Sequence, residues 1–247
     1  MFKNMGMPNG VLALYTSLLY LPWVIKPLWS PFVDIIKSKR WWIIAMQILM
    51  SAAMFLLPFL LPQAMGEAIA ATPLFYVTLS LFWVTAFASA THDIAADGFY
   101  MLALDSGTQA EFVGIRSTFY RLSSIFGQGA LVVIAGLLEK NLGDVPKAWS
   151  VTLLVSAVMF ALITLWHTFN LPKPESDHAR KSGDGAGEIM REFGRTFVTF
   201  FQKKHVWIAL AFMLLYRLPE AFLVKMMNPF LLDPVRQGGL GLSTETV

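Results

Sequence analysis

Apolar residues occur along this chain in six long blocks, and short polar turns separate one block from the next. The blocks cover about residues 11–33, 42–62, 73–96, 113–138, 147–169 and 206–232. Each block is long enough to cross a hydrocarbon core, which takes about 20 helical residues. The pattern therefore predicts an all-α, polytopic membrane protein, a helical bundle with six transmembrane helices.

The composition supports this prediction and narrows the possible chemistry. Hydrophobic residues make up 56% of the 247 and charged residues only 14%, whereas a soluble domain carries about 25% charged residues. The chain has no cysteine, which excludes disulfides, thiolate chemistry and cysteine-based metal sites. Its four histidines show no ligand-like spacing, so we expect neither a metal site nor a cofactor.

Basic residues are concentrated in two of the connections between blocks. Residues 37–40 carry three basic side chains and residues 171–204 carry more, while residues 63–72 and 139–147 have no basic excess. Basic loops stay on the cytoplasmic side of a membrane, so the connections after blocks one, three and five are predicted to be cytoplasmic. The net charge of +3 thus reflects membrane topology, and no nucleic-acid partner is expected.

This orientation places the amino terminus outside the cytoplasm. Residues 1–10 look like a loop between helices, because they end in the turn sequence PNG. We therefore expect the sequence to be a fragment that lacks at least one helix at its start and several at its end. The alternative is a six-helix protein whose amino terminus lies outside.

The fifth and sixth blocks are joined by a long segment that has two parts. Residues 171–187 form a polar linker, and residues 188–204 place aromatic side chains at helical spacing opposite basic ones. This second part is predicted to be an amphipathic helix along the cytoplasmic surface. Such a connector is typical of the major facilitator architecture. It divides the chain into an N-terminal bundle (1–170) without its first helix, the connector (171–204) and the start of a C-terminal bundle (205–247).

Acidic and basic residues cluster where the third and fourth blocks meet. Asp93 and Asp97 lie four residues apart, so they share one face of a helix. The third block has risen about 30 Å by this point, which places both carboxylates at the cytoplasmic rim. Arg116 and Arg121 begin the next, antiparallel block at the same level. We interpret this as an ion-pair gate that opens and closes during transport; a solvated helix end and a proton or substrate site are the alternatives. The gate candidates are His92, Asp93, Asp97, Arg116, Tyr120 and Arg121.

Ionisable residues also lie inside the membrane, where each charge costs about 2.5–3.5 kcal/mol and usually serves a function. Arg217 and Glu220 are three residues apart near the centre of the sixth block, with Pro219 between them. We interpret Arg217 as a binder of an anionic substrate group and Glu220 as a protonation site; a mutually neutralising pair is the alternative. Lys26, flanked by tryptophans, either binds substrate or extends to the cytoplasm, and Gln128 is placed to hydrogen-bond substrate.

Four stretches together resemble one family of transporters. They are LYLPWVIKPLWSPFVD, SATHDIAADGFYMLAL, VGIRSTFYRLSSIFGQG and LLYRLPEAFLVKMMNPFLLD. From about residue 11 to 245 the chain is similar to the second to seventh of twelve or more helices of the AmpG-type muropeptide permeases. These belong to the major facilitator superfamily and are related to the acetyl-coenzyme A transporters. His92 stands where glutamine is usual in the family.

The resemblance implies import of anhydro-muropeptides across the bacterial inner membrane, driven by the proton gradient and working by alternating access. The segment SPFVDIIKSKR resembles the acidic-then-basic loop that braces the two halves of such transporters, so Asp34 is a further gate candidate. The expected partners are a small solute, protons and the lipid bilayer, and the protein is expected to be monomeric.

Other functions stay open at the level of sequence. The transported solute is alternatively an acyl-coenzyme A or another anionic metabolite. A non-transporting membrane sensor would use the helix at 188–204 to bind a partner and would not need Arg217 and Glu220. An intramembrane enzyme would need a nucleophile or a metal cluster, and no serine is placed with His92 to supply one, so we expect no enzymatic activity.

Overall fold

The computed structural model of the chain describes residues 1–178 and 186–246, without the side chains of residues 34, 35, 67, 186, 189, 192 and 196. Helices dominate these ranges and no strand occurs in them. The helices are α1 (Asn9–Leu18), α2 (Leu21–Ile25), α3 (Ser30–Ile35), α4 (Lys39–Leu56), α5 (Pro73–Ala103), α6 (Ser106–Ile125), α7 (Leu131–Leu142), α8 (Val145–Asn170), α9 (Ala186–Phe201) and α10 (Val206–Leu232). Six segments of the described ranges are long and apolar enough to cross a membrane, which confirms the prediction of a polytopic helical membrane protein.

The first apolar block forms several short helices instead of the single predicted one. Its membrane span, Asn9–Leu28, contains α1, α2 and a 3-10 turn at Lys26–Leu28, and α3 follows. Prolines stand at the first or second position of α2, of the turn and of α3. Because proline lacks a backbone N–H and clashes with the preceding turn, each one begins a new helical segment. The charged group of Lys26 therefore projects from a turn and not from a continuous helix.

The third and fourth blocks form longer helices than the apolar pattern predicts. Helix α5 extends to Ala103, since a helix continues through polar residues until a breaker or cap stops it. Helix α6 begins after Asp105, whose carboxylate accepts a hydrogen bond of 2.9 Å from the backbone N–H of Thr108. Hydrogen bonds from the backbone and hydroxyl of Thr108 lower the pKa of Asp105. A π-helical turn at Phe126–Ala130 joins α6 to α7 within one span.

Contacts divide the chain into two units. The first unit comprises Met1–Ala179 with Ser243–Val247, and the second comprises Arg180–Leu242. In the first unit α4 packs against α5 and α8, and α7 packs against α8. Small side chains in this unit let helices approach closely, and the buried alanines are Ala53, Ala88, Ala90, Ala95, Ala135, Ala148 and Ala157.

The second unit contains α9 and α10. Three aromatic rings follow one face of α9: the Phe193 and Phe197 centroids are 5.1 Å apart, and those of Phe197 and Phe201 are 6.1 Å apart. Phe201 stacks on Trp207 of α10 at 5.3 Å. The amphipathic pattern therefore forms a helix, while its position on the membrane surface and the division of the chain at 171–204 stay predictions.

Gly98 in α5 makes room for a buried lysine of α4. A Cβ atom on Gly98 would lie 2.9 Å from Cε and 3.3 Å from Cδ of Lys39. We expect Gly98→Leu to lower the free energy of unfolding by about 1–3 kcal/mol through overpacking. Gly114→Leu is the matched control, because a Cβ on that helical glycine meets nothing within 4 Å. Thermal unfolding of both variants in detergent measures the difference, and equal stability would show that Lys39 moves aside without cost.

Candidate functional site

Charged residues gather at one end of the first unit, where α5 and α8 finish and α4 and α6 begin. This end is called the polar end below. Lys26 Nζ lies 2.6 Å from Asp93 Oδ2, and the two side chains are 32% and 29% exposed. The ammonium also lies 5.3 Å from the ring centroid of Trp23, close enough for a cation–π interaction. Asp93 is thus paired with Lys26, and not with the arginines that the sequence suggests as partners.

A second ion pair joins α5 to α6. The Arg116 guanidinium donates to the Asp97 carboxylate. It also lies 5.3 Å from the ring centroid of Tyr100, whose hydroxyl donates to the carbonyl of Gln109 at 2.5 Å. These contacts hold the last turns of α5 against the first turns of α6. Asp93 and Asp97 lie one helical turn apart and therefore pair with different segments: Lys26 precedes α5 in the chain, and Arg116 follows it.

The remaining gate candidates are not drawn into these pairs. Tyr120 and Arg121 are exposed on α6, and Arg121 forms no ion pair within the part of the chain that the structure describes. The side chain of Asp34 lies outside the described residues, although its backbone belongs to α3. The predicted gate is thus represented by two ion pairs, with His92 in a different environment.

His92 belongs to a polar cluster around the buried amide of Gln47, which sequence reasoning missed. Its Nε2 atom lies 3.2 Å from Nε2 of Gln47 on α4. The same amide nitrogen lies 2.7 Å from Nδ1 of His167 on α8, and the amide oxygen lies 3.2 Å from that ring atom. Gln47 is only 3% exposed. The available signal was a lone amide and a lone histidine inside otherwise apolar blocks.

Arg217 and Glu220 contact each other on α10 in the second unit. The guanidinium donates to the carboxylate three residues further along the helix, and the side chains are 71% and 57% exposed. Pro219 lies between them inside the helix. Both charged groups therefore lie on an exposed part of α10.

Gln128 occupies the π-helical turn of the first unit. Its side chain is exposed, and Cβ atoms placed on its neighbours Gly127 and Gly129 would meet nothing within 4 Å. Such turns occur often at functional sites, because they shift one backbone carbonyl out of the regular helical ladder. The amide is therefore accessible for hydrogen bonding.

An aromatic cavity of about 470 Å³ lies between α3, α4 and α5. Its walls are almost entirely apolar, and its largest side chains are Trp29, Phe32, Trp42, Trp83 and Phe87. The Trp29 Nε1–H donates to the hydroxyl of Thr91 at 3.1 Å.

Within the described residues no group of three or more acidic or histidine side chains could hold a metal ion.

The segment after α8 folds back onto the polar end. The Asp177 carboxylate accepts hydrogen bonds from the backbone N–H groups of Lys39 at 2.6 Å and Arg40 at 2.9 Å, at the start of α4. The Arg40 side chain in turn donates to the carbonyls of Thr168 and Leu171 at the end of α8, at 2.8 and 3.0 Å. One acidic residue thus satisfies the first donors of α4 and fixes two helices at the same level.

Replacement of Asp177 by alanine is expected to lower the free energy of unfolding by about 1–2 kcal/mol, as loss of a capping carboxylate does. Asp177→Asn keeps one oxygen acceptor and is expected to retain about half of this stabilisation. Chemical unfolding followed by tryptophan fluorescence measures both variants. An alanine variant as stable as the native chain would exclude a capping role for the segment.

Comparison with known proteins adds independent information. The BT1 family model matches residues 1–226. Two curated relatives are the anhydromuropeptide permeases of Escherichia coli K12 and of Escherichia coli O157:H7, each 25% identical over 241 residues. The match covers 94% of this chain and 44% of each relative, so the chain spans less than half of the relatives' length. No solved structure matches the chain significantly.

Proposed function

The chain belongs to the BT1 family, and from this premise we propose that it transports a small solute across the bacterial inner membrane. The observation that carries the proposal is the joint presence of six membrane-spanning segments and ionisable residues inside them. Such residues are retained in membrane helices mainly for pathways, relays and gates. The permease names of the two relatives support the same function.

The proposed solute is an anhydro-muropeptide or a similar sugar–peptide anion. The names of the two relatives suggest this class. Arg217 offers a guanidinium to a carboxylate, which it can bind in the bidentate geometry that favours planar anions. Gln128 offers both donors and an acceptor to sugar hydroxyls or peptide groups. No cofactor is needed for this recognition.

Coupling to protons is proposed to follow from the contact between Arg217 and Glu220. A substrate carboxylate and the ionised Glu220 compete for the same guanidinium. Protonation of Glu220 removes the competitor, so a proton and an anionic substrate strengthen each other's binding. A monomer that carries both across the membrane would thereby use the proton gradient for import.

Alternating access is proposed to involve the two ion pairs of the polar end. Lys26 with Asp93 connects the turn after α2 to α5, and Asp97 with Arg116 connects α5 to α6. Exchange of these partners would let the helices separate on the cytoplasmic side, as rocking of two bundles requires. Asp34 is proposed to take part in the same gate.

The function is tested by uptake of labelled anhydro-muropeptide into cells that lack their own muropeptide permease. The cells express this protein from its own gene, and uptake is measured with and without a protonophore. We expect uptake that requires expression and that the protonophore abolishes. Uptake of a labelled acyl-coenzyme A in place of muropeptide would overturn the substrate and retain the transporter. No uptake of either solute by correctly inserted protein would favour the sensor, for which the aromatic face of α9 is the specific observation.

A further inference from the structure

Two histidines, His92 and His167, contact the amide of Gln47, and the three side chains come from three packed helices of the first unit. We propose that His92, Gln47 and His167 form a binding site for one proton, distinct from the carboxylate of Glu220. The three residues lie on α5, α4 and α8, and their separations in sequence are 45 and 120 residues. Only the packing of the bundle brings them together.

In the proton-free state the amide of Gln47 satisfies both rings. Its nitrogen carries two N–H groups and lies 3.2 Å from Nε2 of His92 and 2.7 Å from Nδ1 of His167. It donates one hydrogen to each ring, so both of these ring atoms act as acceptors. The protons of the neutral rings then lie on Nδ1 of His92 and on Nε2 of His167. Every donor of the buried amide has a partner.

One added proton fits this arrangement. A proton on Nδ1 of His167 turns that atom into a donor, which needs an acceptor. The oxygen of Gln47 already lies 3.2 Å from it, so a small rotation of the amide exchanges nitrogen for oxygen at this position. The amide nitrogen keeps a hydrogen for His92. The site therefore takes up a proton without leaving a buried polar group unpaired.

A second proton does not fit. With both rings charged, two donors would compete for the single oxygen of Gln47, while the amide hydrogens would face only cations. The two positive charges would also repel each other across one side chain. The cluster is thus built for one proton, in contrast to two histidines that titrate independently.

The surrounding groups leave this proton with one nearby counter-charge. Asp93 follows His92 on α5 and is paired with Lys26. The charged residues of α4, Lys39 and Arg40, lie about two helical turns before Gln47, and their backbone N–H groups donate to the Asp177 carboxylate. The outward neighbours, Ser51 and Thr164, are neutral hydroxyls 3.0 Å apart.

A proton on the cluster therefore competes with Lys26 for Asp93 and weakens one of the two gate pairs. This link to the gate rests on the proposed transport function, whereas the proton site itself does not. Protonation from the cytoplasmic side would favour separation of the turn that carries Lys26 from α5. The cluster would then report cytoplasmic pH to the gate.

The proton site is tested on the purified chain in lipid nanodiscs, without substrate, by NMR of labelled histidine side chains. Only four histidines contribute, and the exposed His178 and His205 serve as single-site references. Between about pH 8 and pH 5, the range in which histidine titrates, we expect the pair of His92 and His167 to take up one proton in total. Uptake of two independent protons by the pair, or of none, would overturn the proposal.

Variants of Gln47 separate the site from a merely structural role. Gln47→Glu adds a charge and a second acceptor oxygen, so we expect the pair to take up two protons in the same range. His167→Gln keeps a hydrogen-bonding partner and is expected to remove the shared proton while the references are unchanged. An unchanged count of one in Gln47→Glu would overturn the role of the amide.

Uptake by His167→Gln, compared at acidic and neutral cytoplasmic pH, tests the link to the gate. A flattened pH dependence is expected. A native-like pH dependence, with a single-proton count intact in the native chain, would overturn the link and leave the proton site standing. Failure of transport altogether would be visible in uptake alone and would not alter the titration.

Discussion

Lys26→Met alone is expected to lower the free energy of unfolding by about 2 kcal/mol, somewhat less than the roughly 2.5–3.5 kcal/mol that one charge costs at the bilayer centre. The variant leaves Asp93 without the ammonium that lies 2.6 Å from its carboxylate. An ion pair of this kind stabilises little against a neutral pair, but either charge left alone at this partly buried position is costly. The loss in free energy of unfolding therefore comes mainly from the carboxylate of Asp93, which is left unpaired.

A double-mutant cycle measures this coupling. Asp93→Asn is expected to cost a similar amount, while Lys26→Met with Asp93→Asn is expected to recover most of the loss, since no charge is left unpaired. Lys147→Met is the matched control, because Lys147 and Asp144 form an exposed pair in which the lysine is 71% exposed. That control is expected to change stability by less than about 1 kcal/mol. Additive losses in the cycle would show that Lys26 and Asp93 are not coupled.

The order of helices was predictable because lipid acts on every residue of a span. A block that crosses the membrane must be apolar along its whole length, so the six spans can be identified from the sequence alone. Helix ends are harder to predict, because α5 and α6 continue through polar residues at the polar end, where the apolar signal is lost. The breaks near Lys26 could be expected from the prolines, but their effect on the direction of the lysine could not.

Pairing of polar residues was less predictable than their presence. Asp97 and Arg116 are 19 residues apart on consecutive helices, so antiparallel packing alone brings them to the same level. Asp93 and Lys26 are 67 residues apart, and their contact depends on the break in the first span. Gln47 and His167 are single polar residues inside apolar blocks, and neither is an acidic or strongly basic residue that would mark a costly charge in the membrane. Their meeting depends on how α4 packs between α5 and α8.

Arg217→Gln is expected to reduce proton-driven uptake of anhydro-muropeptide by roughly tenfold or more, through weaker substrate binding, because it removes the charge that an anionic group would engage. Glu220→Gln mimics the protonated carboxylate, so it is expected to retain substrate binding and to lose accumulation against a gradient. Initial uptake rates at several substrate concentrations separate the two effects: the first variant raises the apparent KM, and the second removes sensitivity to a protonophore.

The controls decide whether this pair acts in transport or only in folding. Arg236→Gln removes an exposed charge beyond the end of α10 and is expected to leave uptake unchanged. Arg217→Lys keeps the charge without the bidentate geometry and is expected to lie between the native protein and Arg217→Gln. Native uptake in both Arg217→Gln and Glu220→Gln would contradict this transport mechanism. Loss of uptake in Phe197→Glu, which places a charge in the aromatic face of α9, would then assign the effect to α9. The second unit would then act through a partner, because its intramembrane charges would only neutralise each other.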